Sequence, residues 1–150
     1  MQLRTQTRRP PRAALWLILL ALPWWQGCSQ ELPDRYPVMG TLLVDGQPAE
    51  GAQIRLVRND EFDDAPPVPY AITKADGSFV LSTFLFEDGA PVGEYQVTVF
   101  WPSVTRNEFG EQVEGPDRLG GRYAQAEDSG LQITVAAHSN HLEPLKLSAQ

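Results

Sequence analysis

Residues 72–101 read ITKADGSFVLSTFLFEDGAPVGEYQVTVFW. Their final third alternates strictly: Tyr95, Val97, Val99 and Trp101 fall on one face and Gln96 and Thr98 on the other. A period of two, carried by β-branched and aromatic residues, is the signature of a half-buried strand. Upstream, Asp76-Gly77 stands between two further apolar runs. A two-residue loop there requires positive φ at both central positions, and it would fold residues 72–74 back on residues 79–81 as a hairpin. Glycine accepts such a φ without steric cost, and asparagine tolerates it better than a β-branched residue does. Gly77→Val is therefore expected to destabilise the domain and Gly77→Asn to cost much less.

The same reading extends outward on both sides. Strands are expected at residues 38–44 (VMGTLLV), 51–58, 69–74, 78–83, 93–101, 130–136 and 142–147, separated by turns rich in Gly, Pro and Asp. Pro144 gives the last of these an edge position or a bend. Residues 84–92 (FLFEDGAPV) either extend the preceding strand or bulge out as a loop with Phe84 and Phe86 tucked under the body. Residues 102–128 form a long connection, and a structureless loop of that length is unusual in a compact domain. A short strand near residues 121–124 is expected within it. No stretch after the N-terminal segment has helical periodicity. The fold class that follows is all-β, a single Greek-key sandwich of immunoglobulin-like or prealbumin-like type, with about seven strands.

The chain does not begin in this manner. Residues 1–12 carry Arg4, Arg8, Arg9 and Arg12 with no acid, and residues 13–25 (AALWLILLALPWW) are apolar up to Gly27-Cys28. A basic head, a short apolar core and a small residue at the junction make a helical export signal. Thirteen apolar residues fall short of the roughly 20 that span a bilayer core. Cys28, the only cysteine, follows Gly27 as the lipidated cysteine of a bacterial lipobox does, although Trp25 stands where leucine is usual. The alternative is an ordinary signal peptide that leaves an unpaired thiol. The Arg8-Arg9 pair precedes Pro10-Pro11, which does not suit a twin-arginine signal. The expected organisation is a lipoprotein signal at 1–28, a tether at 29–37 and the sandwich at 38–150.

Without the leader, eight basic residues face nineteen acidic ones, a net charge of −11. That balance excludes a phosphate-backbone partner, which needs clustered Lys and Arg. It leaves the membrane to be reached through the N-terminal anchor.

The turn and strand residues also resemble a known family. Gly40-Thr41-Leu42, Asp45-Gly46, Pro48, Gly51-Ala52, Thr73, Asp76-Gly77, Phe79, Gly93, Tyr95, Val97 and Val99 follow the order seen in carboxypeptidase regulatory-like, transthyretin-like β-sandwiches. The match covers about residues 38–101 and, more loosely, 131–147. With the Gly27-Cys28 leader, Gly115-Pro116-Asp117-Arg118-Leu119 and Gly121-Arg122-Tyr123, the chain is similar to small lipoproteins of planctomycete-type bacteria. Residues 83–92 are longer than the family's short turn, and the long strand ends in Trp101-Pro102 rather than Gly-Tyr. The resemblance implies a non-catalytic accessory or interaction module. The family's enzymatic relative, hydroxyisourate hydrolase, ends in Tyr-Arg-Gly-Ser, whereas this chain ends Leu-Lys-Leu-Ser-Ala-Gln. A Lys–Asn isopeptide of the collagen-adhesin type needs a lysine on an early strand, and residues 38–44 hold none.

Chemistry-bearing residues are sparse. His138 and His141, both in the turn before the last strand, have no third ligand beside them in sequence, and solvated turn histidines are the simpler reading. Asp60, Glu61, Asp63 and Asp64 offer hard oxygen donors that calcium uses, but lack the spacing of an EF-hand, so no metal site is expected. Arg118, Arg122 and Tyr123 either take an anionic or sugar ligand or, more simply, pair with Asp117, Glu127 or Asp128 and pin the long connection. No catalytic triad, nucleophile elbow or phosphate loop is readable, and neither enzyme activity nor cofactor is expected. The leading expectation is a non-enzymatic, exported, lipid-anchored protein of the bacterial cell envelope whose sandwich meets a protein or glycan. The rival is a carbohydrate- or calcium-binding module using Phe62, Tyr70, Trp101 and Tyr123 with the loop acids.

Overall fold

The computed structural model describes residues 32–58 and 67–149. In chain order the elements are β1 (Arg35–Tyr36), β2 (Val38–Val44), β3 (Gln47–Pro48), β4 (Gln53–Val57), β5 (Tyr70–Ile72), β6 (Ser78–Val80), β7 (Ala90–Pro91), β8 (Gly93–Phe100), β9 (Pro102–Arg106), β10 (Gln112–Asp117), α1 (Ala126–Ser129), β11 (Gln132–Val135), β12 (Asn140–His141) and β13 (Leu145–Leu147). The leader, with Cys28, and the acidic loop lie outside the described residues.

The alternating stretch that opens the sequence reading, β8, is the centre of a four-stranded antiparallel sheet ordered β11-β8-β4-β5. Its inward residues Tyr95, Val97 and Val99 are buried, and they lie opposite Ile133, Leu56 and Ile54 in turn. A second sheet is organised around β2. It pairs in parallel with β12 and β13, and antiparallel with β3 and β6. Val38, Leu42 and Val44 of β2 and Phe79 of β6 join Ile54, Leu56, Val97 and Val99 of the first sheet in one buried cluster. The fold is thus an all-β sandwich. β4, β5 and β6 follow one another, and β8 then returns beside β4, which is the Greek-key path. The two sheets contain nine segments rather than about seven, because β2 is partnered by pieces of two or three residues.

The hairpin expected at Asp76-Gly77 is there only at its two ends. Lys74 N–H donates to Ser78 O (2.8 Å), and Tyr70 and Ser82 exchange both backbone bonds (2.9 and 2.8 Å). Between those ends the strands part: β5 pairs with β4 in one sheet and β6 with β2 in the other. This turn is therefore a corner of the sandwich. Its loop has three residues, not two. Gly77 N–H returns to Lys74 O (2.8 Å), and Gly77 (φ +75°) has positive φ while Asp76 does not. The Asp76 carboxylate accepts the Ser78 N–H (2.9 Å). Hydrogen bonds from the Ser78 hydroxyl and N–H hold that carboxyl below its usual value.

The corner is closed by the β2–β4 connection. The Thr73 hydroxyl, buried, donates to Ala49 O and accepts from Ala52 N–H (2.8 Å). Gly51 N–H donates to Thr73 O (3.0 Å), and Leu42 N–H donates to Gly77 O (2.9 Å). That close approach leaves Gly77 no space: a Cβ built there would lie 2.6 Å from Leu42 O and 3.2 Å from Pro48 Cβ. The expectation that Gly77→Asn is well tolerated is corrected on this ground, since the Cβ itself collides.

Two further expectations are settled differently from the sequence reading. Residues 84–89 bulge out as a loop, but Phe86 is 87% and Leu85 68% exposed, so Phe86 is not tucked under the body. Residues 121–124 form turns, with Ala124 N–H donating to Gly121 O (3.1 Å), in place of the short strand expected there. The strand content of the long connection is instead the ribbon β9–β10, paired Gln112↔Arg106 through Asp117↔Pro102. Tyr123 still offers its carbonyl to Val99 N–H (2.8 Å) beyond the end of β11.

Candidate functional site

Among the stacking aromatics singled out, Phe62 lies outside the described residues with Asp60, Glu61, Asp63 and Asp64. Tyr70 on β5 is 53% exposed. Trp101 is half-buried: its indole N–H donates to Glu50 O (2.8 Å) and the Arg118 guanidinium covers its ring at 3.5 Å. Tyr123 packs against the core, and its hydroxyl accepts from Ser148 N–H (3.3 Å). Trp101 and Tyr123 are thus engaged within the chain, while Tyr70 stays exposed.

The arginines of the long connection each lie against an aromatic ring. Arg118 lies on Trp101, and Arg122 is 5.8 Å from the Tyr123 ring centre. The Asp117 carboxylate accepts backbone N–H groups from Trp101 (2.9 Å), Leu119 (3.1 Å) and Gly121 (2.9 Å). An aspartate that receives three amides fixes a turn. His138 and His141 are exposed, with His138 Nδ1 2.9 Å from Ser139 O. Between them Asn140 is buried and knits the turn, accepting Ala136 N–H (2.9 Å) and donating to the carbonyls of Ala136 (3.1 Å) and His138 (2.6 Å). Among the described residues no group of three His, Cys, Asp or Glu side chains converges.

A shallow depression of about 500 Å³ crosses the outer edge of β8 and β11, lined by Arg58, Glu94, Gln96, Gln132 and Thr134 among others. Its lining is polar, and the Arg58 guanidinium lies 5.7 Å from the Tyr95 ring centre. Tyr95 beneath it directs its hydroxyl to Pro91 O (2.9 Å).

The arrangement that sequence reasoning missed is at the other end of the loop 84–89. The Asp88 carboxylate accepts N–H groups from Thr83 (2.7 Å), Leu85 (3.0 Å) and Phe84 (3.2 Å), and Glu87 N–H donates to Ser82 Oγ (2.8 Å). Arg35 of β1 pairs with Asp88 (2.8 Å) and lies 4.9 Å from the Phe84 ring centre. Burial acts to raise the Asp88 carboxyl, but the three amides and the Arg35 guanidinium outweigh it and hold the group below its usual value. β1 pairs with β7, and Gly89 packs so closely on Tyr36 O that a Cβ would come within 1.9 Å of it. Arg35 and Tyr36, in the segment read as a tether, are therefore fastened to the folded body. Leu85 and Phe86 project from this fixed frame into solvent. The only advance signal was the Asp88-Gly89 pair, which marks a turn but not its direction.

No family model and no curated protein matches the chain. Among solved structures it is similar to a 9R-lipoxygenase from Cyanothece PCC8801, with a TM-score of 0.39 and 15% sequence identity over 76% of this chain. The chain spans 16% of that lipoxygenase, and a likeness at that level carries no argument about activity.

Proposed function

We propose that this protein is a non-enzymatic lipoprotein of the bacterial cell envelope, anchored by lipid on Cys28 and presenting its β-sandwich as an interaction module. The observation that carries the reading is the sequence of a basic head, thirteen apolar residues and Gly27-Cys28. A lone cysteine at that junction has no second cysteine in this sequence to pair with, and an acylated thiol gives it a chemical use. The described body supports the reading in its own way. Its first strand, Arg35–Tyr36, comes seven residues after Cys28, a spacer length suited to an anchored domain.

The resemblance to carboxypeptidase regulatory-like sandwiches gains support from what the shared residues do. Thr73, Gly77 and Phe79 lock the corner between the sheets, so the motif reflects the fold rather than a reaction. The acidic surface favours a protein or glycan partner over nucleic acid. Fractionation and mass spectrometry of the exported protein test the anchor. Wild type is expected in the membrane fraction with acyl mass on Cys28, and Cys28→Ala in the soluble fraction or unprocessed. A soluble wild type with a free thiol would refute the proposal.

A further inference from the structure

We infer that the loop carrying Leu85 and Phe86 is a second, non-covalent membrane contact that orients the sandwich on the bilayer to which Cys28 is anchored. This rests on the lipid-anchor reading and adds to it a face of the domain. Covalent geometry supplies the first argument. Arg35 lies seven positions after Cys28, and an extended chain reaches at most about 25 Å over those seven steps. The Arg35 end of the body therefore stays within that distance of the acylated cysteine. The loop belongs to this end, because Asp88 pairs with Arg35 at 2.8 Å and β7 pairs with β1.

Rigidity supplies the second argument. With its carboxylate bonded to the Thr83, Phe84 and Leu85 amides, Asp88 fixes a loop whose two apolar tips, Leu85 and Phe86, are 68% and 87% exposed. Leu32, leading into β1, is 55% exposed as well. Exposed apolar side chains clustered at one end mark an interaction surface, and aromatic side chains favour the headgroup level of a bilayer.

Charge supplies the third. The body is strongly acidic, yet the two acids of this loop are paired: Asp88 with Arg35, and Glu87 with Lys74 at 3.6 Å. The acids of the loop itself are thereby balanced by cations. Contrast comes from Phe109, 86% exposed at the tip of the β9–β10 ribbon. That ribbon leaves the opposite end of β8, eight residues from Gly93, or about 25 Å along a strand.

The test uses full-length acylated protein reconstituted in vesicles of phosphatidylethanolamine and phosphatidylglycerol. An environment-sensitive fluorophore is placed at Phe86→Cys, at Leu85→Cys or at Phe109→Cys, all exposed positions whose folding a thermal melt verifies. Labels at 85 and 86 are expected to shift to the blue on reconstitution and to lose intensity with brominated acyl chains, while a label at 109 does neither. Labels at 85 and 86 that remain water-like in acylated, vesicle-bound protein would overturn the inference while leaving the anchor standing. Equal quenching at 109 would overturn it too, since the orientation would be lost. Absence of acyl mass on Cys28 overturns the anchor reading and removes this inference with it.

Discussion

Substituting Gly77 by Ala or Asn tests how the two sheets are joined. Gly77 lies at φ +75°, and a Cβ there would meet Leu42 O at 2.6 Å and Pro48 Cβ at 3.2 Å. Left-handed backbone costs an L-residue about 1–2 kcal/mol. Relieving the clash means displacing the β2 backbone, which weakens the Leu42 N–H to Gly77 O bond (2.9 Å) and the Ala49 N–H to Leu42 O bond (3.2 Å). Each such bond contributes roughly 0.5–1.5 kcal/mol. For Ala the sum is about 2–5 kcal/mol, and for Asn, which tolerates the left-handed region, about 1–3 kcal/mol from the displaced bonds, out of a domain stability of some 5–15 kcal/mol. At about 4 °C per kcal/mol, the melting temperature should fall by roughly 8–20 °C for Ala and roughly 4–12 °C for Asn. Gly46 is the matched control: its φ is +78° and nothing lies within 4 Å of a Cβ. Gly46→Asn should therefore change the melting temperature by no more than about 2 °C, being open and in a region that Asn tolerates. Calorimetric melts of the four variants (Ala and Asn at each glycine) decide the matter. If Gly77→Asn and Gly46→Asn proved equally mild, the corner would not be closed by Leu42, and the close approach would be wrong.

Val97 is fully buried between Leu56 and the second sheet, so Val97→Asp should leave the domain unfolded by circular dichroism, whereas Gln96→Asp on the outer face should melt within a few degrees of wild type. Thr73→Val removes a hydroxyl that serves Ala49 O and Ala52 N–H; denaturant unfolding should show a loss of about 1–3 kcal/mol. Asp88, held below its usual carboxyl value, contributes stability that is present above its unfolded value and is lost as pH falls through the folded one. The stability gap between wild type and Asp88→Asn, followed by denaturant midpoints, should accordingly narrow as pH drops below about 4.

What local pattern could decide, the sequence decided. The alternation of Tyr95, Val97 and Val99 fixed both the strand and its inward face, because side chains in a strand point to opposite faces with a period of two. Residues 38–44 became β2 with the same bounds. Asp76-Gly77 marked a reversal from a few neighbouring residues. Tertiary structure alone decided which strands met. Nothing in residues 70–80 distinguishes a hairpin from a corner, because the partners that draw β5 and β6 apart, β4 and β2, are remote in sequence. It also decided how much room Gly77 has, through the backbone of Leu42. In residues 84–88, the sequence placed the hydrophobic residues, but the Asp88 carboxylate and Arg35, 53 positions earlier, determined that Leu85 and Phe86 point outward. Strand period is a property of the chain. Pairing, clearance and exposure depend on what packs alongside it.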